Sequence, residues 1–452
     1  MGRVLKIFAK ILNDHLKRLI KGFCAGFFNF CYNRCIFINV GRDLTFMCQL
    51  FFNWRKMNYD GGCFPMKKKL LALAIGSMLL VPAVAGAEGF GIVEWSAEGV
   101  GMGGARMFAE NDPAMIAYNP TAILKIDKAA LGLHVTSISP HGQFSADDYS
   151  TGQTVKNDSN RISPGLVPGI YYAQKIDDKS AWGIGTFTRY GMISEFEQHS
   201  VFARSAYFSK MTGLSITPVY ARKLSKKLSA SVGAEFNYVN LNIRKNLLGG
   251  TPASRTGMGE GDLRGDTWAM GWSAGLDYQF DDKNEMALVY RSKISQNMKD
   301  GSASLPGINT KFNAKVVLPD TWTIGYGHKF NKKTRVEVQA MRTNWHTYES
   351  LDVNLVGAPT QSDPKHWKDG WRFAIGLEHK FSDKYTGYLG YSYDQAGIPS
   401  AFADFMVPTG NRQTYSIGLS YRDKKQMLTG TLGYMAIGDK HMGSTDKVAP
   451  YP

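Results

Sequence analysis

From about Ala129 to Ile437 the chain keeps returning to one pattern: apolar residues alternate with small or polar ones for ten or so positions, and then a turn follows. In Trp268–Phe280, the residues Trp268, Met270, Trp272, Ala274, Leu276, Tyr278 and Phe280 share one parity, and Ala269, Gly271, Ser273, Gly275, Asp277 and Gln279 the other. Leu228–Tyr238, Trp371–Phe381 and Tyr415–Tyr421 repeat the pattern. Successive side chains of a strand point to opposite faces, so each segment is a strand with one greasy face and one polar or small face.

Soluble sandwiches alternate too, but two features separate the cases. The greasy faces carry aromatics at their ends (Trp268 and Phe280, Trp371 and Phe381, Tyr415 and Tyr421), as in the aromatic girdles of a transmembrane barrel. The connections also alternate in length. Tight charged turns (Asp177–Lys179, Ser225-Lys226, Asp281–Lys283, Asn331–Lys333, Ser382–Lys384 and Asp423–Lys425) interleave with loops of about ten to twenty residues, the outer-membrane arrangement. The pattern predicts an all-β fold, a transmembrane antiparallel β-barrel. Strands are expected near 130–143, 162–176, 181–193, 204–223, 228–245, 264–280, 285–298, 312–330, 334–350, 371–381, 385–395, 413–422 and 426–437, with Pro319 marking a bulge or break.

Thirteen strands is an odd number, and single-chain bacterial barrels use an even one. Residues 438–452 form an irregular tail without alternation, so a fourteenth, closing strand is expected to be missing through truncation or a frameshift; a miscount at Pro319 is the other reading. Two unpaired edges in lipid would leave backbone groups unsatisfied.

Ahead of the barrel, Met66-Lys67-Lys68-Lys69, an apolar run over Leu70–Val84 and a small-residue ending at Ala83–Ala87 make up a secretory signal peptide over 66–87. Cleavage after Ala87 leaves Glu88 first; a retained membrane anchor is the alternative. Residues 1–65, holding all five cysteines (Cys24, Cys31, Cys35, Cys48 and Cys63), read as an extension from an upstream start codon. Their spacing supplies no second pair of zinc ligands. Removing 1–87 takes thirteen of the 53 Lys+Arg and three of the 38 Asp+Glu, so the formal charge falls from +15 to +5. That is too mild to argue for nucleic acid, and no basic cluster with interleaved aromatics is present. The expected setting is the outer membrane, with lipid and lipopolysaccharide as surroundings, a monomer, and no cofactor or metal.

Residues 88–128 do not alternate. Small residues, short helical stretches and two X-Pro turns describe a compact plug. Gly99-x-Gly101-x-Gly103 follows no strand of a βαβ unit and is discounted as a nucleotide loop. The order of a Gly-rich stretch, Asn111-Asp112-Pro113-Ala114, Tyr118-Asn119-Pro120-Thr121 and then the first strand resembles the N-terminal hatch of the FadL/TodX family of outer-membrane transporters for long-chain fatty acids and other hydrophobic compounds. Arg189–Phe196, Leu318–Trp322 and Lys368–Arg372 resemble later landmarks, and the similarity spans about 88–437. Departures are Asn-Pro-Thr where the family has Asn-Pro-Ala, and the absent last strand.

The resemblance implies a fourteen-stranded barrel plugged by its hatch. Substrate would be captured at the extracellular loops, pass to an internal apolar site and leave through a lateral opening where the third strand kinks. Hatch residues would include Asp112, Pro113, Asn119 and Pro120. The kink falls near Tyr190 and Gly191, although Gly191 also suits an ordinary strand end. A carboxylate in an apolar site wants a cation. Lys365 lies in the loop position that resembles the family's carboxylate-contacting lysine, and Arg244 is a looser candidate near the end of the fifth strand; both also suit loop charges facing lipopolysaccharide. Phe402, Phe405, Met406, Leu247 and Leu248 would form a capture patch or simply pack locally. The rivals are a diffusion porin, which the plug argues against, and an outer-membrane lipase, for which none of the eight histidines after residue 87 sits in a nucleophile motif.

Overall fold

A computed structural model describes residues 46–54, 89–140, 144–147, 154–157, 165–198, 206–251, 254–357, 360–403, 406–407, 410–423 and 426–440. The signal-peptide reading of 66–87 and Phe405 lie outside these. The described strands are β1 (Phe46–Trp54), β2 (Ala129–Ser139), a small hairpin of β3 (Phe144–Asp147) and β4 (Thr154–Asn157), β5 (Gly165–Lys175), β6 (Ser180–Phe187), β7 (Gly191–Glu195), β8 (Phe208–Lys223), β9 (Leu228–Thr251) and β10 (Ser254–Gln279). They continue with β11 (Asn284–Arg291), β12 (Ile294–Leu305), β13 (Ile308–Leu318), β14 (Thr321–Lys329), β15 (Thr334–Thr343), β16 (Ser350–Leu355), β17 (Gln361–Pro364), β18 (Gly370–Lys380), β19 (Tyr385–Asp394), β20 (Arg412–Arg422) and β21 (Gln426–Ile437).

All but β3 and β4 join one sheet of nineteen strands. Five staves of its wall are broken in two (β6/β7, β11/β12, β13/β14, β15/β16 and β17/β18), so nineteen strands make fourteen staves. Thirteen lie where the alternation puts them. The break at Pro319, where β13 stops at Leu318 and β14 starts at Thr321, falls inside the expected 312–330 span. No helix among the described residues is long and apolar enough to cross a membrane, which leaves open a crossing by strands.

The fourteenth stave is a departure from expectation. β1, within the stretch read as an upstream extension, pairs antiparallel with β21 (Phe46↔Tyr434 through Trp54↔Gln426) and with β2 (Phe46↔Ser139 to Phe52↔Leu133). Edge N–H and C=O groups in an apolar medium demand partners, and β1 supplies them to both edges of the seam.

The wall alternates as read. Trp268, Met270, Trp272, Leu276 and Tyr278 of β10 face outward and are exposed, while Ser273 is buried. One aromatic band runs through Trp272, Tyr290 and Trp322, with ring centroids 4.9 and 4.6 Å apart. A second band, with Phe280, Phe330 and Phe381, stands just before the tight turns.

Those turns share one template. The residue after the outward apolar position caps the reversal with its own side chain. Asp177 Oδ1 accepts from the Lys179 N–H at 2.7 Å, Asp281 Oδ1 from Lys283 at 2.7 Å, and Asn331 Oδ1 from Lys333 at 2.8 Å. Ser225 and Ser382 do the same through hydroxyls, at 3.2 and 3.3 Å. Short polar side chains that mimic a backbone turn are why Asp, Asn and Ser occupy these positions.

Candidate functional site

The lumen is filled by residues 89–127, which carry α1 (Ala97–Gly101), α2 (Met115–Tyr118) and a 3-10 turn at Pro120–Lys125. Most of this segment is buried. Helices this short do not hold themselves, so the wall must hold them. Inward-facing charged and polar side chains do so. Arg372 Nη2 donates to the Gly103 carbonyl at 2.5 Å, and Arg291 Nη2 to the carbonyls of Ile116 and Ala117 at 2.7 and 2.8 Å. Glu337 accepts from the Met107 N–H at 2.5 Å, and Lys125 pairs with Glu285 at 2.5 Å.

The expected hatch residues sit inside this network. Asn119 caps the 3-10 turn through the Thr121 N–H (3.2 Å) and donates to Asp277 at 2.9 Å, with Pro120 as the first residue of that turn. Asp112 pairs with Arg106 at 2.9 Å and accepts from the Ala114 N–H at 2.9 Å, so that Pro113 lies inside an Asx turn. Burial alone would push the Asp112 carboxyl up, but the Arg106 guanidinium and the Ala114 N–H outweigh it and hold it below the usual carboxylate range. Arg106 reaches on to Glu378 at 3.4 Å, and Glu378 also takes Arg335 at 3.0 Å.

The glycines of the discounted nucleotide motif serve packing. Gly103 has φ +62°, and a Cβ there would lie 2.7 Å from the Tyr391 backbone nitrogen. Only glycine lets the hatch backbone approach the wall this closely.

The third stave is broken at 188–190. Its lower part, β6, pairs with β5 over Ile170–Lys175; its upper part, β7, pairs with β8 from Gly191↔Thr212 to Glu195↔Phe208. Among the described residues, Gly165–Gly169 of β5 pair with β2 alone and β7 pairs with β8 alone, so the wall has an unpaired gap between β5 and β7. The start of the hatch lines it. The Ile92 N–H donates to the Arg189 carbonyl and the Gly191 N–H to the Phe90 carbonyl, both at 2.8 Å. The Trp95 indole N–H donates to the Thr188 carbonyl at 2.7 Å, and Tyr171 Oη donates to the Trp95 carbonyl at 3.0 Å. Both expected opening residues are therefore at the gap: Tyr190, whose hydroxyl donates to the Pro319 carbonyl at 2.6 Å, and Gly191.

Next to the start of the hatch, Met211, Leu241, Ile294, Phe312, Leu318 and Met406 belong to one packed cluster of buried apolar side chains, the apolar compartment of the lumen. Phe90 projects into an aromatic box at its base. The Phe90 ring is 4.8 Å from Trp345, 5.6 Å from Tyr348 and from Trp367, and 6.1 Å from Tyr190. Sequence reading missed Trp345, Tyr348 and Trp367. Trp345 and Tyr348 fall inside the expected 334–350 strand, which the structure breaks after Thr343 with a 3-10 turn at Trp345–Thr347, and Trp367 stands just ahead of the strand that starts at Gly370.

The candidate substrate residues divide. Lys365 is 3% exposed, lies two residues before Trp367 and pairs with Asp363 at 2.7 Å. Phe402 packs on His366, ring to ring at 4.7 Å, on the same side. Arg244 lies on β9 beside the compartment residue Ile243, 3.6 Å from Asp262 and over the Phe208 ring at 5.1 Å. Leu247 is half-buried, and Met406 belongs to the compartment itself.

Known proteins resemble this chain along most of its length. The family model described as outer membrane protein transport protein (OMPP1/FadL/TodX) matches residues 78–446. A long-chain fatty acid transport protein of Escherichia coli is 25% identical over 78% of this chain and 87% of its own length, and outer membrane protein P1 of Haemophilus influenzae is 24% identical over 83% and 91%. A Pseudomonas aeruginosa FadL homologue of known structure superposes with a TM-score of 0.66 at 18% identity, covering 76% of this chain and 98% of that one. The Pseudomonas putida toluene transporter TodX gives 0.56 at 18%, covering 77% and 100%. With its closed sheet and its match over residues 78–446, the chain belongs to the outer-membrane transport proteins of the OMPP1/FadL/TodX family, barrel channels of the outer membrane rather than enzymes.

Proposed function

We propose that this chain carries hydrophobic small molecules, long-chain fatty acids foremost, passively inward across the outer membrane. The observation that carries this is the double role of Phe90–Ile92. The same three residues put a ring into the aromatic box under the apolar compartment and bond to the wall beside the unpaired gap. A molecule caught at the loops and taken into the compartment displaces Phe90, and displacing Phe90 loosens the lining of the gap. The route is then lateral, from lumen to lipid phase, with no need for an aqueous pore.

Lys365 is the cation for the carboxylate. An acyl chain in the compartment buries apolar surface, and the head group exchanges with Asp363 for the ammonium. Titration with oleate and with toluene, in the parent and in Lys365→Ala, tests this. The expected result is about tenfold weaker oleate binding in the variant, the scale of one charge-assisted hydrogen bond, with toluene unchanged. Equal oleate binding in both proteins removes Lys365 from the site. The second reading, transport of aromatic hydrocarbons, is favoured by the box of rings and by Asp363 already neutralising the lysine. It is the answer if toluene binds and oleate does not. Rapid sugar-driven swelling of liposomes by the parent protein would favour a porin over both.

A further inference from the structure

Behind the wall gap lies a buried charged cluster that the transport reading leaves unused. Glu235, an inward residue of β9, is 0% exposed. Its Oε2 takes Arg189 Nη1 at 2.9 Å, and Arg291 Nη1 stands 3.9 Å from the same oxygen; its Oε1 accepts from the Ser215 hydroxyl at 2.7 Å. Arg189 lies in the break of the third stave, with its guanidinium over the Tyr190 ring at 5.1 Å and its carbonyl bonded to Ile92. Arg291, at the end of β11, holds the hatch through the carbonyls of Ile116 and Ala117 and lies over the Phe187 ring at 5.3 Å. One carboxylate therefore joins the broken stave to the body of the hatch.

We propose that Glu235 is a positioning residue that ties the wall break to the seated hatch, so that the lateral gap opens only when this tie yields. The inference rests on the lateral route proposed above. Two guanidiniums share one carboxylate, both arginines being 3% exposed. In a buried interior Glu235 is the carboxylate that holds the second cation against repulsion from the first, together with the dipoles of the hatch carbonyls and the face of the Phe187 ring. Movement of the hatch carbonyls away from Arg291 leaves that arginine to Glu235 and weakens the claim of Arg189 on it. Movement of the break does the converse. Two alternative pairings of one carboxylate are a physical means of coupling the break, through Arg189, to the body of the hatch at Ile116 and Ala117, apart from the direct contact that Ile92 makes with the Arg189 carbonyl.

The test uses a reporter thiol. From residue 88 onward the chain has no cysteine, and Val93, half-buried at the start of the hatch, lies next to the gap. Val93→Cys is labelled in detergent or bilayer with a lipid-soluble maleimide, the protein without that substitution giving the background. Arg189→Gln, which leaves Glu235 paired with Arg291, and Glu235→Gln are each expected to speed labelling about fivefold or more. The double variant should label no faster than the faster single one, because both act on one tie. Labelling at or below the parental rate in both variants, or rates that multiply in the double, overturns the proposal. If Glu235→Gln does not give a folded, heat-modifiable barrel, Ser215→Ala takes one hydrogen bond from the same carboxylate and should speed labelling about twofold; no change there also overturns it. Oleate uptake is measured alongside. Faster labelling with unchanged uptake keeps the tie and removes the lateral route, so the two ideas fail separately.

Discussion

The backbone N–H of Gly191 donates to the carbonyl of Phe90 at 2.8 Å, so the residue at which the broken stave restarts is bonded to the residue whose ring plugs the aromatic box. Neither can shift far without the other. A side chain that must leave for a ligand to enter acts as a competing ligand already in place.

Phe90→Ala removes that competitor. Oleate is expected to bind several-fold more tightly, because less of its affinity is spent on displacing the ring. Quenching of Trp345 and Trp367 by a brominated fatty acid reads the change. Weaker binding would mean that the ring forms part of the site rather than occupying it.

Gly103→Ala should unseat the hatch without unfolding the barrel. The position has φ +62°, and the new methyl meets the Tyr391 backbone, which cannot swing aside. The left-handed conformation alone costs about 1–2 kcal/mol for a residue with a Cβ. Liposomes holding the variant should swell faster in sugar than those holding the parent, while heat-modifiable migration is kept. Swelling at the parental rate counts against a hatch that depends on this contact.

The Arg106–Asp112 pair is one acid-sensitive contact of the hatch. The Asp112 carboxyl is held below its ordinary range, so the pair contributes fully above the unfolded pKa of about 3.9, and the contribution is lost as pH falls through the lower folded value. As far as this pair decides it, the hatch should resist protease at neutral and mildly acidic pH and lose this contact only below the ordinary carboxylate range. Asp112→Asn strips the nearer partner from a buried guanidinium, a loss of about 3–5 kcal/mol, and should make the hatch protease-sensitive already at neutral pH. Resistance in the variant equal to that of the parent would show that Glu378 alone suffices for Arg106.

Intact mass of the protein extracted from outer membranes tests the leader. Cleavage after Ala87 gives a chain starting at Glu88, which no longer contains β1. Such a chain should melt at a lower temperature than one in which cleavage is blocked, because its β2 and β21 edges lack the partner that β1 supplies. Equal melting temperatures would show that the seam is satisfied in another way.

Much of this was legible in the chain. Period-two alternation located thirteen staves, because each strand has one face to lipid and must declare it at every second position. The hatch showed as the loss of that period; the kink near Tyr190-Gly191 was an expectation of the family resemblance, since the alternation by itself ran on over 181–193. Pairings across several staves were not legible. Glu235 stood out only as one more inward polar residue of Leu228–Tyr238; its approach to Arg189 and Arg291 depends on the register of four separate elements, which spacing along one strand does not encode. β1 was hidden for a different reason. Phe46–Trp54 does not alternate cleanly, and it is a strand because two edges require one.

The repeated periplasmic-type turns have a kinetic consequence. Each three-residue reversal sets the register of its own hairpin between neighbours in sequence, so most of the wall can zip up from contacts that form early. The seam is different. Phe46 must find Tyr434 across nearly the whole chain, at the full entropic cost of closing that loop. Closing the cylinder should therefore be the slow, last event of assembly, and a population delayed there presents two long open edges able to pair with those of another copy.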